Sequence, residues 1–186
     1  MAPPGFQYRE QFITDVEERT LLDAIAAMVF SAFELRGVVA RRRVAFFGHS
    51  YDRGEAQPFP DFLFPLRNRI AGWAGVAEDA FAMALINEYP PGAPIGWHRD
   101  APQYDIVAGV SLASDCRMRF RPYRSPASVR GEAARRSATH TVDLERRSAY
   151  LLTGESRTSF EHHIPAVTRL RYSVTFRTLR RTPRSR

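Results

Sequence analysis

Arg171-Tyr172-Ser173-Val174-Thr175-Phe176-Arg177 reads as a β-strand with two unlike faces. Side chains alternate across a strand, so Tyr172, Val174 and Phe176 form one face, and Arg171, Ser173, Thr175 and Arg177 the other. The apolar face asks for a core. The opposite face carries an arginine at each end, roughly 20 Å apart along the backbone. Both guanidiniums are long enough to reach inward, and the gap between their heads suits a small dicarboxylate.

Upstream, the chain contains His98-Arg99-Asp100 and Glu161-His162-His163-Ile164-Pro165. Two histidines and one carboxylate can hold iron(II) on one side and leave its other positions open. In extended chain, His-x-Asp puts two ligands on the same side, close enough for one ion. His98 follows a Pro/Gly-rich loop, Pro90-Pro-Gly-Ala-Pro-Ile-Gly96, of the kind that presents ligands. A third ligand must come from a distant strand. His162 and His163 both qualify, but adjacent strand residues face opposite ways and only one can point at the metal. His49 and His140 read as structural or exposed. With the arginine strand, these are the parts of a non-haem iron oxygenase that takes a 2-oxo acid as co-substrate.

The rest of the chain predicts an α+β domain. Thr14-Asp-Val-Glu17 has the form of a capping box, and Leu21, Leu22, Ile25, Met28 and Val29 follow at helical spacing, so residues 15–30 read as an amphipathic helix. Residues 38–47 read as a strand, 48–60 as a loop and 61–73 as a second helix, with Pro65 weakening its first turn or marking its true start. From about residue 82 the pattern turns to β, with strands at 82–89, 106–113, 117–121, 140–144, 149–153 and 169–179. Residues 124–139 are polar and basic and read as a surface loop. Residues 1–81 then form an N-terminal region with the helices, 82–180 a jelly-roll core with the helices packed on one sheet, and 181–186 a basic tail, all in one 186-residue domain.

Composition narrows the setting. The chain is 44% hydrophobic, with 13 Phe and 7 Tyr to fill a core. No segment has the unbroken apolar length of a membrane span. The lone Cys116 cannot close an internal disulfide, and the first residues lack the form of a secretory signal; both fit the cytoplasm. A net charge of +7 points to a polyanionic partner or a solvated basic face.

The order and spacing of three blocks resemble the AlkB family of iron(II)/2-oxoglutarate dioxygenases over about residues 38–180. The blocks are Asn87-Glu-Tyr89…Gly92…Ile95…His98-x-Asp100, Arg147-Ser-Ala-Tyr-Leu-Leu-Thr-Gly154, and His162-x-Ile-Pro165…Arg171-Tyr-Ser-Val-Thr-Phe-Arg177. The resemblance implies a double-stranded β-helix. It implies His98, Asp100 and His162 as iron ligands, which chooses His162 over His163. It implies that Arg171 pairs with the distal carboxylate of 2-oxoglutarate, that Arg177 lies near its iron-bound end, and that Asn87, Tyr89 and Ser173 contact it. Ser173 stands where several family members have asparagine, and Phe160 where tryptophan is frequent.

The implied activity is oxidative dealkylation of N-alkylated nucleobases in DNA or RNA, using iron(II), 2-oxoglutarate and O2 and releasing an aldehyde. The target base must be single-stranded or flipped out of a duplex. Arg41, Arg42 and Arg43 are candidate phosphate contacts, Phe47 or Tyr51 candidate stacking partners, and Trp97 a candidate pocket wall; core packing is the other reading for Phe47 and Trp97. Arg117, Arg119 and Arg121 form a basic stripe or a solvated face. Two other readings keep the same residues: the same oxygenase chemistry on a protein side chain or small molecule, and a nucleic-acid-binding module with a degenerate iron site.

Overall fold

A computed structural model describes residues 2–35, 37–49, 57–124 and 139–180. Tyr51, most of the polar segment 124–139 and the tail 181–186 lie outside the described residues.

Two antiparallel sheets face each other. The larger is built from β1 (Phe6–Arg9), β2 (Ser31–Leu35), β3 (Val38–Gly48), β4 (Phe81–Tyr89), β6 (Tyr104–Leu112), β9 (Ala149–Leu152) and β11 (Arg171–Leu179), in the order β1-β9-β6-β11-β4-β3-β2. The smaller runs β5-β10-β7-β8, from β5 (Ile95–His98), β7 (Cys116–Pro122), β8 (His140–Leu144) and β10 (Phe160–Ile164). This is the expected double-stranded β-helix.

Strand β11 is central to the larger sheet, between β4 and β6, and its two faces behave as their residues dictate. Val174 and Phe176 pack outward with Ala84, Ile86, Ala108 and Val110 against Leu21 and Ile25 of α1 (Asp15–Ala26) and Leu66 and Ile70 of α2 (Phe64–Ala74). Both N-terminal helices therefore cover one face of the larger sheet. The other face looks between the sheets, where Tyr89, Val107, Tyr150 and Leu152 meet Met118, Phe120, Leu144 and Ile164 from the smaller sheet.

Gly109 on β6 makes room for that arrangement. A Cβ there would lie 2.4 Å from the Tyr150 ring, so only glycine lets the ring cross its neighbouring strand.

Several boundaries differ from the sequence reading. Helix α1 starts at its capping box, with the Thr14 hydroxyl accepting from the Glu17 amide at 3.2 Å and the Glu17 carboxylate accepting from the Thr14 amide at 2.8 Å. It ends at Ala26 rather than residue 30, because Phe30 packs on Tyr172 and the chain enters β2. A 3-10 turn over Asp61–Leu63 precedes α2, whose first turn contains Pro65. Before residue 82, β1, β2 and β3 extend the larger sheet at both edges, β3 being the strand expected over 38–47. The short elements β1, β5, β10 and α3 (Gly154–Thr158) were not separately legible.

Candidate active site

The inward face of β11 lines a cavity of about 1280 Å³ between the sheets. His98, Asp100 and His162 meet at its wall. Their ligand atoms all lie within 4.8 Å of one another, close enough to share one ion. The reason is register: His162 on β10 pairs directly with His98 on β5, which brings the two rings to 4.2 Å between centroids.

His98 Nδ1–H donates to the Gly96 carbonyl at 2.8 Å, which leaves Nε2 as the nitrogen with a free lone pair. Burial lowers the His98 pKa despite Asp100 nearby, and pushes His162 down to about 3 with help from the facing His98. Both rings are therefore neutral, the form that binds metal. Burial works against ionising Asp100, but Arg177 and then the two histidines hold its carboxyl well below the usual range. One Asp100 oxygen is taken by Arg177. The other, Oδ2, is buried with no hydrogen-bond partner and lies 3.7 Å from His162 Nε2. A buried carboxylate oxygen with nothing to accept from fits a metal ligand.

His163, the other candidate, points away. Its ring stacks on Trp97 at 5.0 Å on the opposite face of the smaller sheet. The strand alternation that separates His162 from His163 also separates His98 from Trp97. Trp97 borders the cavity, while its ring packs between His163 and the Arg121 guanidinium, 4.4 Å from its centroid.

Arg171 is 1% exposed. Its Nε donates to Ser111 Oγ at 3.1 Å, and its Nη1 is buried without a partner. No carboxylate among the described residues pairs with it. An unmatched buried guanidinium is costly unless a ligand supplies the anion, so this side chain fits a carboxylate clamp. Asn87 and Ser173 sit opposite each other on β4 and β11, with Asn87 Nδ2 donating to Ser173 Oγ at 3.4 Å. Tyr89 faces Arg171 across the same pair of strands, its ring 5.1 Å from the guanidinium carbon.

The arginine triplet is split by the parity of β3. Arg43 faces outward and forms two bonds to Glu88, at 2.8 and 2.9 Å. Arg41 is exposed and reaches the Gly92 carbonyl at 3.4 Å, beside an open groove of about 410 Å³. Arg42 alone turns into the cavity. The three do not form one phosphate patch. The same parity packs Phe47 against the helix-side core, while Phe46 joins Val44, Leu85 and Met83 on the face that carries Arg42; both phenylalanines border the cavity. Arg117 and Arg121 pair with Asp143 and Glu161 on the smaller sheet.

Four contributors escaped the sequence reading. Ser111 positions Arg171. Tyr150 fills the space over Gly109 and lines the cavity. Arg157 of α3 donates to the Tyr104 carbonyl at 3.0 Å and to Ala101, pinning the turn that follows Asp100. Phe33 lies under Arg42. For Phe46, alternation counted from Arg42 along β3 was an available signal; nothing in the sequence marks Phe33, Ser111 or Arg157.

Residues 33–180 match the 2OG-Fe(II) oxygenase superfamily. The chain belongs to it. Iron(II), 2-oxoglutarate and O2 are accordingly its cofactor and co-substrates, and the triad and Arg171 have the donor types these need. Its relatives are AlkB homologues, as the motif order implies. The chain is 28% identical to an "Alkylated DNA repair protein ALKBH8 homolog" from Arabidopsis thaliana, over 87% of this chain and 51% of that one. It is 26% identical to a "Probable RNA/DNA demethylase ALKBH6" from Danio rerio, over 89% of this chain and 71% of that one. The chain thus spans about half the length of the plant relative. Among solved structures, OsALKBH1 superposes with a TM-score of 0.64 at 15% identity, covering 96% of this chain and 100% of that one. A Pseudomonas putida prolyl-4-hydroxylase gives the same TM-score and identity, with 96% and 94% covered. These two establish the shared fold.

Proposed function

We propose that this oxygenase removes alkyl groups from nitrogen atoms of nucleobases in DNA or RNA. Iron(II), 2-oxoglutarate and oxygen together supply an oxidant able to hydroxylate a C–H bond next to nitrogen, with succinate and carbon dioxide as co-products. The hydroxylated alkyl group then breaks its C–N bond, leaving the base N–H and an aldehyde.

The chain's own residues organise this chemistry. His98, Asp100 and His162 hold the metal, with the Gly96 carbonyl fixing the His98 tautomer. Arg171, held by Ser111, clamps the far carboxylate of the co-substrate in a planar two-point contact. Asn87, Tyr89 and Ser173 orient it between the strands, and Arg177 keeps Asp100 ionised. The cavity has room for the co-substrate and a flipped or single-stranded base beside it.

The observation that carries the oxygenase chemistry is the unmatched Arg171 guanidinium in the same cavity as the ligand triad. The nucleic-acid substrate is supported by the names of the relatives, one a DNA repair protein homolog and one a probable RNA/DNA demethylase. The prolyl hydroxylases share the fold, so the choice between base and protein side chain rests on that sequence likeness. Repair of DNA and modification of RNA are both consistent settings. Cys116 has no disulfide partner, and no helix among the described residues is long and apolar enough to cross a membrane; the cytoplasm suits both.

The test is a side-by-side turnover screen with iron(II) and 2-oxoglutarate on methylated single-stranded DNA, methylated RNA and proline-containing peptides. Aldehyde release from an oligomer is expected. Succinate formation with a peptide and none with any oligomer would move the substrate to protein.

A further inference from the structure

Arg42 is a buried guanidinium that the oxygenase chemistry does not use. It is 8% exposed. Its Nε donates to Asn87 Oδ1 at 3.2 Å, and its guanidinium carbon lies 3.9 Å over the Phe33 ring. No acceptor among the described residues takes its Nη atoms. The two carboxylates lining the cavity do not pair with it: Asp100 is engaged by Arg177, and Glu34 is exposed. Yet Arg42 is close enough to the metal site for its charge to act on His98.

The charge around it has a sign. Three buried guanidiniums, Arg42, Arg171 and Arg177, face the cavity with one buried carboxylate, Asp100. That leaves an excess of two positive charges. Iron(II) and the 2-oxoglutarate dianion cancel each other, so loading the site does not remove the excess. A cationic group entering this space meets repulsion at low dielectric, where it is poorly screened. A carbonyl oxygen meets an unused, pre-stacked pair of N–H donors.

We propose that Arg42 reads the substrate base by donating to a carbonyl oxygen on its edge, and so selects neutral, carbonyl-bearing N-alkylated bases over cationic ones. This rests on the nucleobase reading above. Phe33 and Asn87 hold the guanidinium plane, much as a base-reading arginine is held elsewhere. Arg42 faces the cavity and also borders the open groove beside Arg41. Arg41, exposed on the adjoining groove, has the place a phosphate contact needs.

The experiment compares four single-stranded oligomers of one sequence. Two carry neutral lesions beside at least one carbonyl, 3-methyluracil with C2=O and C4=O and 1-methylguanine with C6=O; two carry cationic lesions, 1-methyladenine and 3-methylcytosine. Anaerobic binding to the iron(II)/2-oxoglutarate-loaded protein is followed by fluorescence anisotropy, and aldehyde release is measured in air. The wild-type protein should bind and turn over a neutral lesion at least roughly tenfold better than either cationic one, the scale of one hydrogen bond to a charged group. Arg42→Gln should collapse that ratio towards unity, and Arg42→Lys should keep the discrimination against cations.

The wild-type ratio decides the matter even if a variant fails to fold. Preference for a cationic lesion overturns the inference while leaving the dealkylation reading intact. So does an Arg42→Gln variant that weakens all four oligomers equally and flattens the salt dependence, which would make Arg42 a phosphate contact. No aldehyde from any oligomer sinks the nucleobase reading itself, and the inference with it.

Discussion

Arg177 places two nitrogens on one oxygen of Asp100, Nε at 2.8 Å and Nη2 at 2.7 Å, and leaves Oδ2 facing His162. The pair spans the two sheets' junction, since Arg177 stands near the end of β11 and Asp100 just after β5. Thr175 Oγ1 accepts from Arg177 Nη1 at 3.0 Å and completes the support. The carboxylate is thereby ionised, oriented and half-occupied before any metal arrives.

Removing that support should weaken the metal site without emptying it. Arg177→Met is expected to lower iron(II) affinity by about 10–100-fold, the usual cost of losing a partner to a ligand. The sign with pH follows from Asp100: its pKa is held down by Arg177, so in the variant it rises, and protons compete with metal at higher pH than in the wild type. Anaerobic metal titration across pH checks both. Unchanged affinity throughout would show that Arg177 serves something else.

The two adjacent histidines should behave oppositely. His162→Ala, like His98→Ala and Asp100→Ala, should abolish succinate formation, whereas His163→Ala should retain it. His163 stacks on Trp97 away from the cavity, while His162 is paired with His98. Activity in His162→Ala with loss in His163→Ala would invert the ligand assignment.

Arg171 should be specific to the co-substrate. Arg171→Lys keeps the charge but loses the fork, so KM for 2-oxoglutarate should rise at least about tenfold. Iron affinity should stay the same. Ser111→Ala frees Nε of Arg171 and should raise KM in the same direction by less. A rate independent of both changes would show that the anion binds elsewhere.

The fold's first helix gives a prediction separate from chemistry. Thr14→Ala removes the cap at the start of α1 and should cost about 1 kcal/mol, read from the denaturation midpoint. Its partner Glu17, bonded by Arg69 and capping Thr14, has its carboxyl pulled down to about 2 from 4.5. A depressed folded pKa means that its contribution is complete above about pH 4.5 and fades as pH falls towards 2. The group is exposed, so the effect is small. Equal midpoints for the wild type and Thr14→Ala at neutral pH would contradict the capping role.

What could be read from sequence was whatever strand parity or helix period repeats. Arg171 and Arg177 announced an inward face because apolar residues stood between them, and Thr14 announced a helix because Glu17 stood three residues on. The candidate ligand His162 was legible only as one of a pair, since the His162–His98 register depends on how β10 meets β5 across a long sequence gap. Arg41–Arg43 looked like one basic patch because charge is visible in sequence and facing is not until the strand is fixed. Once β3 is set, alternation sends Arg42 inward alone and packs Phe46 on the face of Arg42 and Phe47 on the helix-side face. Ser111 and Arg157 were illegible because each acts on a residue more than 50 positions away.

The most direct test of the nucleobase-dealkylase account measures succinate and aldehyde together during turnover of N-methylated single-stranded oligomers, with iron(II), 2-oxoglutarate and air. The account predicts that aldehyde appears in step with succinate, that both stop when 2-oxoglutarate is withheld, and that unmethylated oligomers yield no aldehyde. Succinate formed without aldehyde on every methylated DNA and RNA oligomer, while a peptide or metabolite is hydroxylated, would contradict it.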